Sequence, residues 1–315
     1  MIPTATVHYG LGPIGLGIAE VALDRGYRPA GAVDIDPQKA GRDLGTLLGR
    51  SPLGVTVTAE ARAALASDAR VVLLSTQSRL AQVLPQILEC VEAGACVIST
   101  CEELAFPWRH HPDEARRIDE AAKARGVAVV GVGVNPGFVM DLLPIALMAP
   151  CREVRAVHVT RVVDAGHRRL PLQRKVGAGL DPGTFEAGVA AGRIGHVGLP
   201  ESVAMIADAL GWPLEAITET IEPVRDGADV RGLHQVAVGV RDGRPVITLD
   251  LTMAVGAPHP RDAVVIEGDP PISMAIAGGV HGDVATCAIA VNAVPQVLAA
   301  PPGLVTVHRL PPIHP

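Results

Sequence analysis

Between a short apolar run at 4–9 and an amphipathic stretch stand Gly10, Gly12 and Gly15, in the spacing Gly-x-Gly-x-x-Gly; an acid, Asp34, closes the next apolar run 19 residues beyond Gly15. Together these residue types suit one task, the holding of a dinucleotide. The first glycine permits a tight turn, the second lets backbone amides approach a pyrophosphate, and the third lets helix and strand pack closely. Pro13 falls near the first helical position, where its missing N–H costs nothing. Ile14 follows it at a helix N-terminus, where unpaired amides favour anionic phosphate. Asp34 lies at the separation from which a carboxylate accepts from the adenosine ribose hydroxyls. This favours NAD over NADP, because a 2′-phosphate would meet a like charge. Lys39 and Arg42 follow in the same loop and could pair with such a phosphate, so NADP stays open.

Three more loops carry polar groups, each after an expected strand: Ser75-Thr76-Gln77-Ser78, Ser99-Thr100-Cys101-Glu102-Glu103 and Gly133-Val134-Asn135-Pro136-Gly137-Phe138. In an open α/β sheet, ligands bind beyond the carboxyl ends of the strands, which is where these loops fall. Ser75, Thr76, Gln77 and Thr100 are then expected along the cofactor groove, with Asn135 at the nicotinamide carboxamide. Each segment also has a plainer reading: Ser and Thr cap helices, glutamates favour a helix N-terminus, and Asn-Pro-Gly makes a turn. Their joint placement at the strand ends of one sheet shifts the balance toward a site.

The elements that must position these residues alternate in the βα manner over the first 134 residues, with apolar runs at 4–9, 29–33, 71–75, 95–99 and 127–132. That pattern predicts a doubly wound parallel sheet of Rossmann type, an α/β fold. Helices are expected after Pro13, ending at Gly26, and after Pro112, ending at Gly126. Leu80, Val83, Leu84, Ile87, Leu88 and Val91 fit helical spacing, with Pro85 in the first turn or at a kink. Beyond about 150 the texture changes to β stretches at 153–163, 233–240, 245–255 and 262–267, with Asp242-Gly243 as a hairpin turn. Helices are expected at 182–191 and 201–210. A second α+β domain with a mixed or antiparallel sheet follows, and the expected division is 1–135, 136–282 and a C-terminal helix and tail at 283–315. The apolar stretch 283–300 is expected to pack back near the first domain.

Composition narrows the function classes. A chain of 315 residues with net charge −6 shows no basic stripe for nucleic acid, and three Phe, two Trp and two Tyr offer few platforms for base stacking. Five cysteines without a C-x-x-C pair favour reduced thiols in a cytoplasm, and their spacing to His suits no metal site. No export signal is read at the start. The apolar stretches 127–149 and 284–300 are interrupted by Asn135, Pro136, Asp141 and Pro144 and by Asn292 and Pro295, and read as buried elements without a membrane role.

The segments Gly10–Gly15, Ser99–Leu104 with Pro107-Trp108, Asn135–Phe138, Arg174–Gly179, Gly195–Ser202 and Gly278–Thr286 run in the order seen in 2,4-diaminopentanoate dehydrogenases. The chain resembles that family and the related native amine dehydrogenases over nearly its whole length. Their N-terminal domain is often labelled dihydrodipicolinate reductase-like. True dihydrodipicolinate reductases, however, carry a His-His…Lys-Asp…Ser-Gly-Thr signature, and His110-His111 here runs into Pro112-Asp113-Glu114 instead.

The resemblance implies reversible oxidative deamination of a small primary amine with NAD(P), equivalently the reductive amination of a ketone or aldehyde with ammonia, by a homodimer. Such chemistry needs a carboxylate to steady a cationic C=N nitrogen and relay protons, in a site that excludes water. Glu102 and Glu103 are the candidates for it. Two neighbours on one turn cannot both point into a small pocket, and the sequence does not choose between them. Phe138, His196 and His281 are candidate walls of the substrate pocket, and Arg174-Lys175 is a candidate for an anionic group or the cofactor phosphates. Two other readings stand beside this one: an imine or ketone reductase without an ammonia requirement, and a regulatory protein that binds NAD(P) without chemistry.

Overall fold

The structure, a computed structural model, describes residues 4–167, 170–227 and 229–315. It divides into two compact units, one of residues up to Val134 together with Gly282–Pro315, the other Asn135–His281.

The first unit is built on strands β1 (Ala5–Tyr9), β2 (Arg28–Val33), β3 (Val57–Thr58), β4 (Val71–Leu74), β5 (Cys96–Ser99) and β6 (Ala128–Gly131), with Gly303–Val305 added at one edge. All pairings are parallel, in the order Gly303–Val305, β6, β5, β4, β1, β2, β3. The five apolar runs read from the sequence are β1, β2, β4, β5 and β6. β3 and Gly303–Val305 span two and three residues, too short to show a period. Strand order reverses between β1 and β4, and a doubly wound sheet opens its ligand crevice at such a reversal.

The helix Pro13–Asp24 buries Gly15, Ile18, Ala19 and Ala22, and Gly26 turns left-handed at φ 78° beyond it. The helix Pro112–Arg125 ends on Gly126 in the same conformation. Pro85 falls in the second turn of Leu80–Glu92, one turn deeper than a first-turn proline, where its ring removes one N–H···O=C bond. The apolar stretch at 283–300 is two helices instead of one, Gly282–Asn292 and Val294–Ala299. Pro295 cannot donate to the carbonyl four residues back, so the helix is interrupted there. Gly282–Ala299 is long and apolar enough to cross a membrane by length and composition. In the structure Cys287, Ala290, Val291, Val294 and Val297 from it enter the core around Val7, Leu73, Ile98 and Val129.

The second unit is a six-stranded mixed sheet of β7 (Glu153–Asp164), β8 (Ala216–Asp226), β9 (Asp229–Arg241), β10 (Arg244–Ala254), β11 (Arg261–Asp269) and β12 (Ile272–Ala277), in the order β12, β11, β7, β10, β9, β8. Only β7 and β10 run parallel. Asp242 and Gly243 take positive φ of 52° and 69° and join β9 to β10 in a two-residue hairpin, which matches the right-handed strand twist. The two edge strands, β8 and β12, escape sequence reading. β8 alternates Thr and Glu around half-exposed Ile and carries Pro223, a residue that edge positions tolerate. The helix Leu199–Leu210 buries Val203 and Ile206. It lies close enough to the sheet that a Cβ on Gly239 would meet Val203 Cγ1 at 2.8 Å.

Candidate active site

The glycine loop has the geometry a pyrophosphate requires. Gly10 sits at φ +88°, and a Cβ there would meet the Ser75 carbonyl oxygen at 2.5 Å; one on Gly15 would meet the Gly10 carbonyl at 1.8 Å. A Cβ on Gly12 would meet nothing within 4 Å, so the open side of the loop faces the helix N-terminus at Pro13 and Ile14. The first helical amides, with no intrahelical acceptor, are the donors available to phosphate. Ser75 Oγ donates to the Gly10 carbonyl at 2.9 Å and thereby ties the end of β4 to the turn after β1, across the strand-order reversal. Asp34, at the end of β2, accepts from the Leu11 amide at 2.7 Å, the Asp36 amide at 2.8 Å and Lys39 Nζ at 3.2 Å. Thr76 Oγ1 donates to Gln86 at 2.6 Å, Gln77 is exposed, and Thr100 is half-buried at the end of β5, its amide donating to Leu74. These residues fit an NAD(P) on steric grounds: of the three loop glycines, Gly10 and Gly15 are closed in by backbone, and free space lies beside Gly12, the one that phosphate must approach.

At the carboxyl end of β5 the chain enters a short 3-10 turn, Glu102–Ala105, packed on β6 where a Cβ on Gly131 would lie 2.5 Å from the Leu104 carbonyl carbon. The two adjacent acids part company here. Glu103 is buried; its Oε1 accepts from Arg79 at 2.8 Å and its Oε2 from the Leu80 amide at 2.6 Å, with His111 Nε2 at 3.4 Å from the same oxygen. It serves as the missing cap of helix Leu80–Glu92, whose own N-cap, Arg79, offers no side-chain acceptor. Glu102 is half-buried at the turn's first residue. Cys101, beside it, is buried against the Ser78 carbonyl, and burial pushes its thiol up to about 12, so no thiolate is available there. Sequence reading missed Arg79 and His111. The signal was Arg79 directly before Leu80, a residue with no side-chain acceptor, which obliges some other group to cap that helix.

The second unit holds its own polar cluster. Asn135 begins it with a cis bond to Pro136; its Nδ2 donates to Met140 Sδ at 3.2 Å, and its Oδ1 is buried without a partner. The His196 ring hydrogen-bonds to the Asn135 backbone carbonyl, and its Nε2 is buried without a partner. Burial, then the charges of Lys175 and Arg161, push His196 down to about 3, so the ring is neutral. Asp141, fully buried, accepts from the Gly137 and Leu142 amides and from Ser202 Oγ at 2.8, 2.6 and 2.7 Å, which fixes the loop that carries Phe138. Phe138 is half-buried and His281 exposed. Arg174 is exposed, while Lys175 is half-buried at the end of its helix. Gln235 and the buried pair Arg161–Asp262, 2.7 Å apart, were not singled out from the sequence; polar residues at inward strand positions were the available signal. Among the described residues no group of three His, Cys, Asp or Glu side chains could hold a metal ion.

The family model for the 2,4-diaminopentanoate dehydrogenase C-terminal domain matches residues 138–315. Over 96% of its length the chain is 35% identical to 2,4-diaminopentanoate dehydrogenase of Acetoanaerobium sticklandii, covering 92% of that protein. The chain belongs to the 2,4-diaminopentanoate dehydrogenase family. It is also 27% identical to an amine dehydrogenase of Streptomyces virginiae, over 95% of this chain and 94% of that one. Among solved structures, the amine dehydrogenase from Mycobacterium smegmatis superposes with a TM-score of 0.88 at 27% identity, covering all of this chain and 97% of its own. This family member is an NAD(P)-dependent amine dehydrogenase with a Rossmann sheet and a mixed-sheet second unit.

Proposed function

We propose that the enzyme oxidises a small primary amine reversibly to a ketone or aldehyde, with NAD as the preferred cofactor and Glu102 as the acid/base. The observation that carries the assignment is the split between the two acids. Glu103 spends both oxygens on Arg79 and the Leu80 amide, whereas Glu102 stands half-buried at the strand end. In the oxidative direction the amine-bearing carbon loses hydride and becomes an iminium, water adds to give a carbinolamine, and ammonia leaves as the carbonyl forms. An NAD held by the glycine loop and Asp34 would supply the hydride acceptor. Glu102 steadies the cationic nitrogen, removes the proton of the attacking water and returns one to the departing ammonia. Asn135 Oδ1, a buried acceptor, is suited to the carboxamide N–H. Phe138 and His281 are assigned to the substrate side, and Thr76, Gln77 and Thr100 to the cofactor groove.

Asp34 supports the NAD preference. Its Oδ2 is held toward the glycine loop by the Leu11 amide, and Lys39 is shared between Asp34 and Asp36 at 3.2 and 3.3 Å and so is neutralised locally. By its name, the Acetoanaerobium relative acts on 2,4-diaminopentanoate, which makes that diamine the first substrate to try.

Along β9 the inward residues Gln235, Ala237 and Gly239 are buried while Val236, Val238 and Val240 are only half-buried, and on the same open face Val265 is 42% exposed. An isologous dimer that pairs these faces covers them. All five cysteines are free and four are buried, which suits a reducing cytoplasm.

A panel of amines, 2,4-diaminopentanoate among them, incubated with NAD and NADP and read as reduced cofactor absorbance, tests the reading. Reduction with NAD by at least one amine is expected, with the reverse reaction dependent on ammonium. A carbonyl reduced equally well without ammonium favours the reductase reading. No reduction with any amine overturns the proposal.

A further inference from the structure

His196 is held more completely than any pocket-wall residue needs. Its backbone amide donates to Gln235 Oε1 at 2.8 Å, and its carbonyl accepts from Gln235 Nε2 at 2.7 Å, so one fully buried glutamine side chain grips both backbone groups. Gln235 Nε2 is fixed in turn by Glu219 at 2.7 Å. The imidazole is oriented by the Asn135 carbonyl, and Nε2 is the one polar atom of the residue left shielded and unpaired. A neutral ring that gives its proton to a carbonyl presents the other nitrogen as an acceptor only. Buried acceptors in folded proteins are paired with protein groups, ordered water or ligand, so a nitrogen held on so rigid a mount is placed to accept from a small N–H donor.

We infer that His196 Nε2 is the acceptor for an N–H of the substrate's amino group, and that it selects the amine as its uncharged free base. Two properties of the site argue for the free base. Lys175 places positive charge near the ring, that of Arg161 being offset by Asp262 at 2.7 Å, and this disfavours an ammonium guest. Hydride departure from the amine-bearing carbon also requires the nitrogen lone pair, which an ammonium lacks. The inference rests on the amine dehydrogenase reading and adds to it a binding residue that acts through hydrogen-bond polarity.

The test compares full-length wild type, His196→Leu and His196→Gln with 2,4-diaminopentanoate and saturating NAD. We expect His196→Leu to raise the KM for the amine at least tenfold with the KM for NAD unchanged within twofold, and His196→Gln, whose amide oxygen can accept, to recover part of the loss. A second readout is independent of turnover. In nitrogen-15 spectra of histidine-labelled wild type, the resonance absent from His196→Leu is expected to show a neutral ring and to shift when the diamine is added. An unchanged amine KM in His196→Leu, in an enzyme that still oxidises the diamine, overturns the inference alone. Equal loss in every kinetic constant, or a resonance unmoved by the diamine, assigns His196 a structural role and also overturns it. Wild type that oxidises no amine overturns the functional reading and this inference together.

Discussion

Near the strand-order reversal the first unit spends its named polar side chains on the backbone: Ser75 binds the Gly10 carbonyl and Asp34 the Leu11 amide, and at the end of β5 Glu103 holds the Leu80 amide and Arg79. The cluster in the second unit is fixed just as firmly, by Gln235 and Asp141, yet it leaves Asn135 Oδ1 and His196 Nε2 unpaired. On the proposed function, the difference corresponds to two ways of preparing a site. Where the ligand is an anion met by backbone amides, side chains are spent on shaping the backbone. Where the ligand brings N–H groups, side-chain acceptors are kept in reserve inside a rigid mount.

The contrast is sharpest between neighbours. Replacing Glu102 by Gln is expected to lower turnover about a hundredfold or more, the usual size of a positioned proton transfer, with the melting temperature unchanged. Replacing Glu103 by Gln is expected to do the reverse, costing about 2 kcal/mol of stability because a buried charge-assisted cap is lost. Denaturant melts alongside initial rates separate the two, and a Glu103→Gln enzyme of full stability but no turnover breaks the distinction.

Acid reaches both units through buried histidines. His8 is pushed down to about 4 by burial, and His196 to about 3. An unfolded histidine takes its proton near 6.5, so below that pH the unfolded chain binds more protons than the folded one. Stability is therefore complete above pH 6.5 and falls on acidification by about 1.4 kcal/mol per pH unit for each histidine, until the folded values are reached. Equilibrium unfolding at pH 7.0, 6.0 and 5.0 checks this; a flat profile contradicts the neutral buried rings. A smaller effect is expected at Gly12. Gly12→Ala adds a methyl that meets nothing in the protein, so the fold is expected to keep its stability while NAD binds about fivefold more weakly, measurable by calorimetry.

Much of the first unit was legible because its signals are local. Gly10, Gly12, Gly15 and Asp34 declare themselves by spacing, and β1, β2, β4, β5 and β6 by continuous apolar runs of the kind a doubly covered strand requires. The hairpin at Asp242-Gly243 was legible for the same reason. The edge strands β8 and β12 were not, since half their residues face outward and the apolar period fades. Nor was the division between Glu102 and Glu103, because it depends on which acid reaches a helix 23 residues earlier in the chain. His196 was visible only as a histidine among glycines. Its meaning comes from Gln235, 39 residues away, which no local pattern connects to it.

The account stands most directly on where Glu102 points when cofactor and amine are in place. A crystal structure with NADH and a substrate amine is expected to show the Glu102 carboxylate within hydrogen-bond reach, about 3 Å directly or through one water, of the amine nitrogen, with Glu103 still on Arg79 and the Leu80 amide. A Glu102 turned away from the nicotinamide C4 and the nitrogen contradicts it.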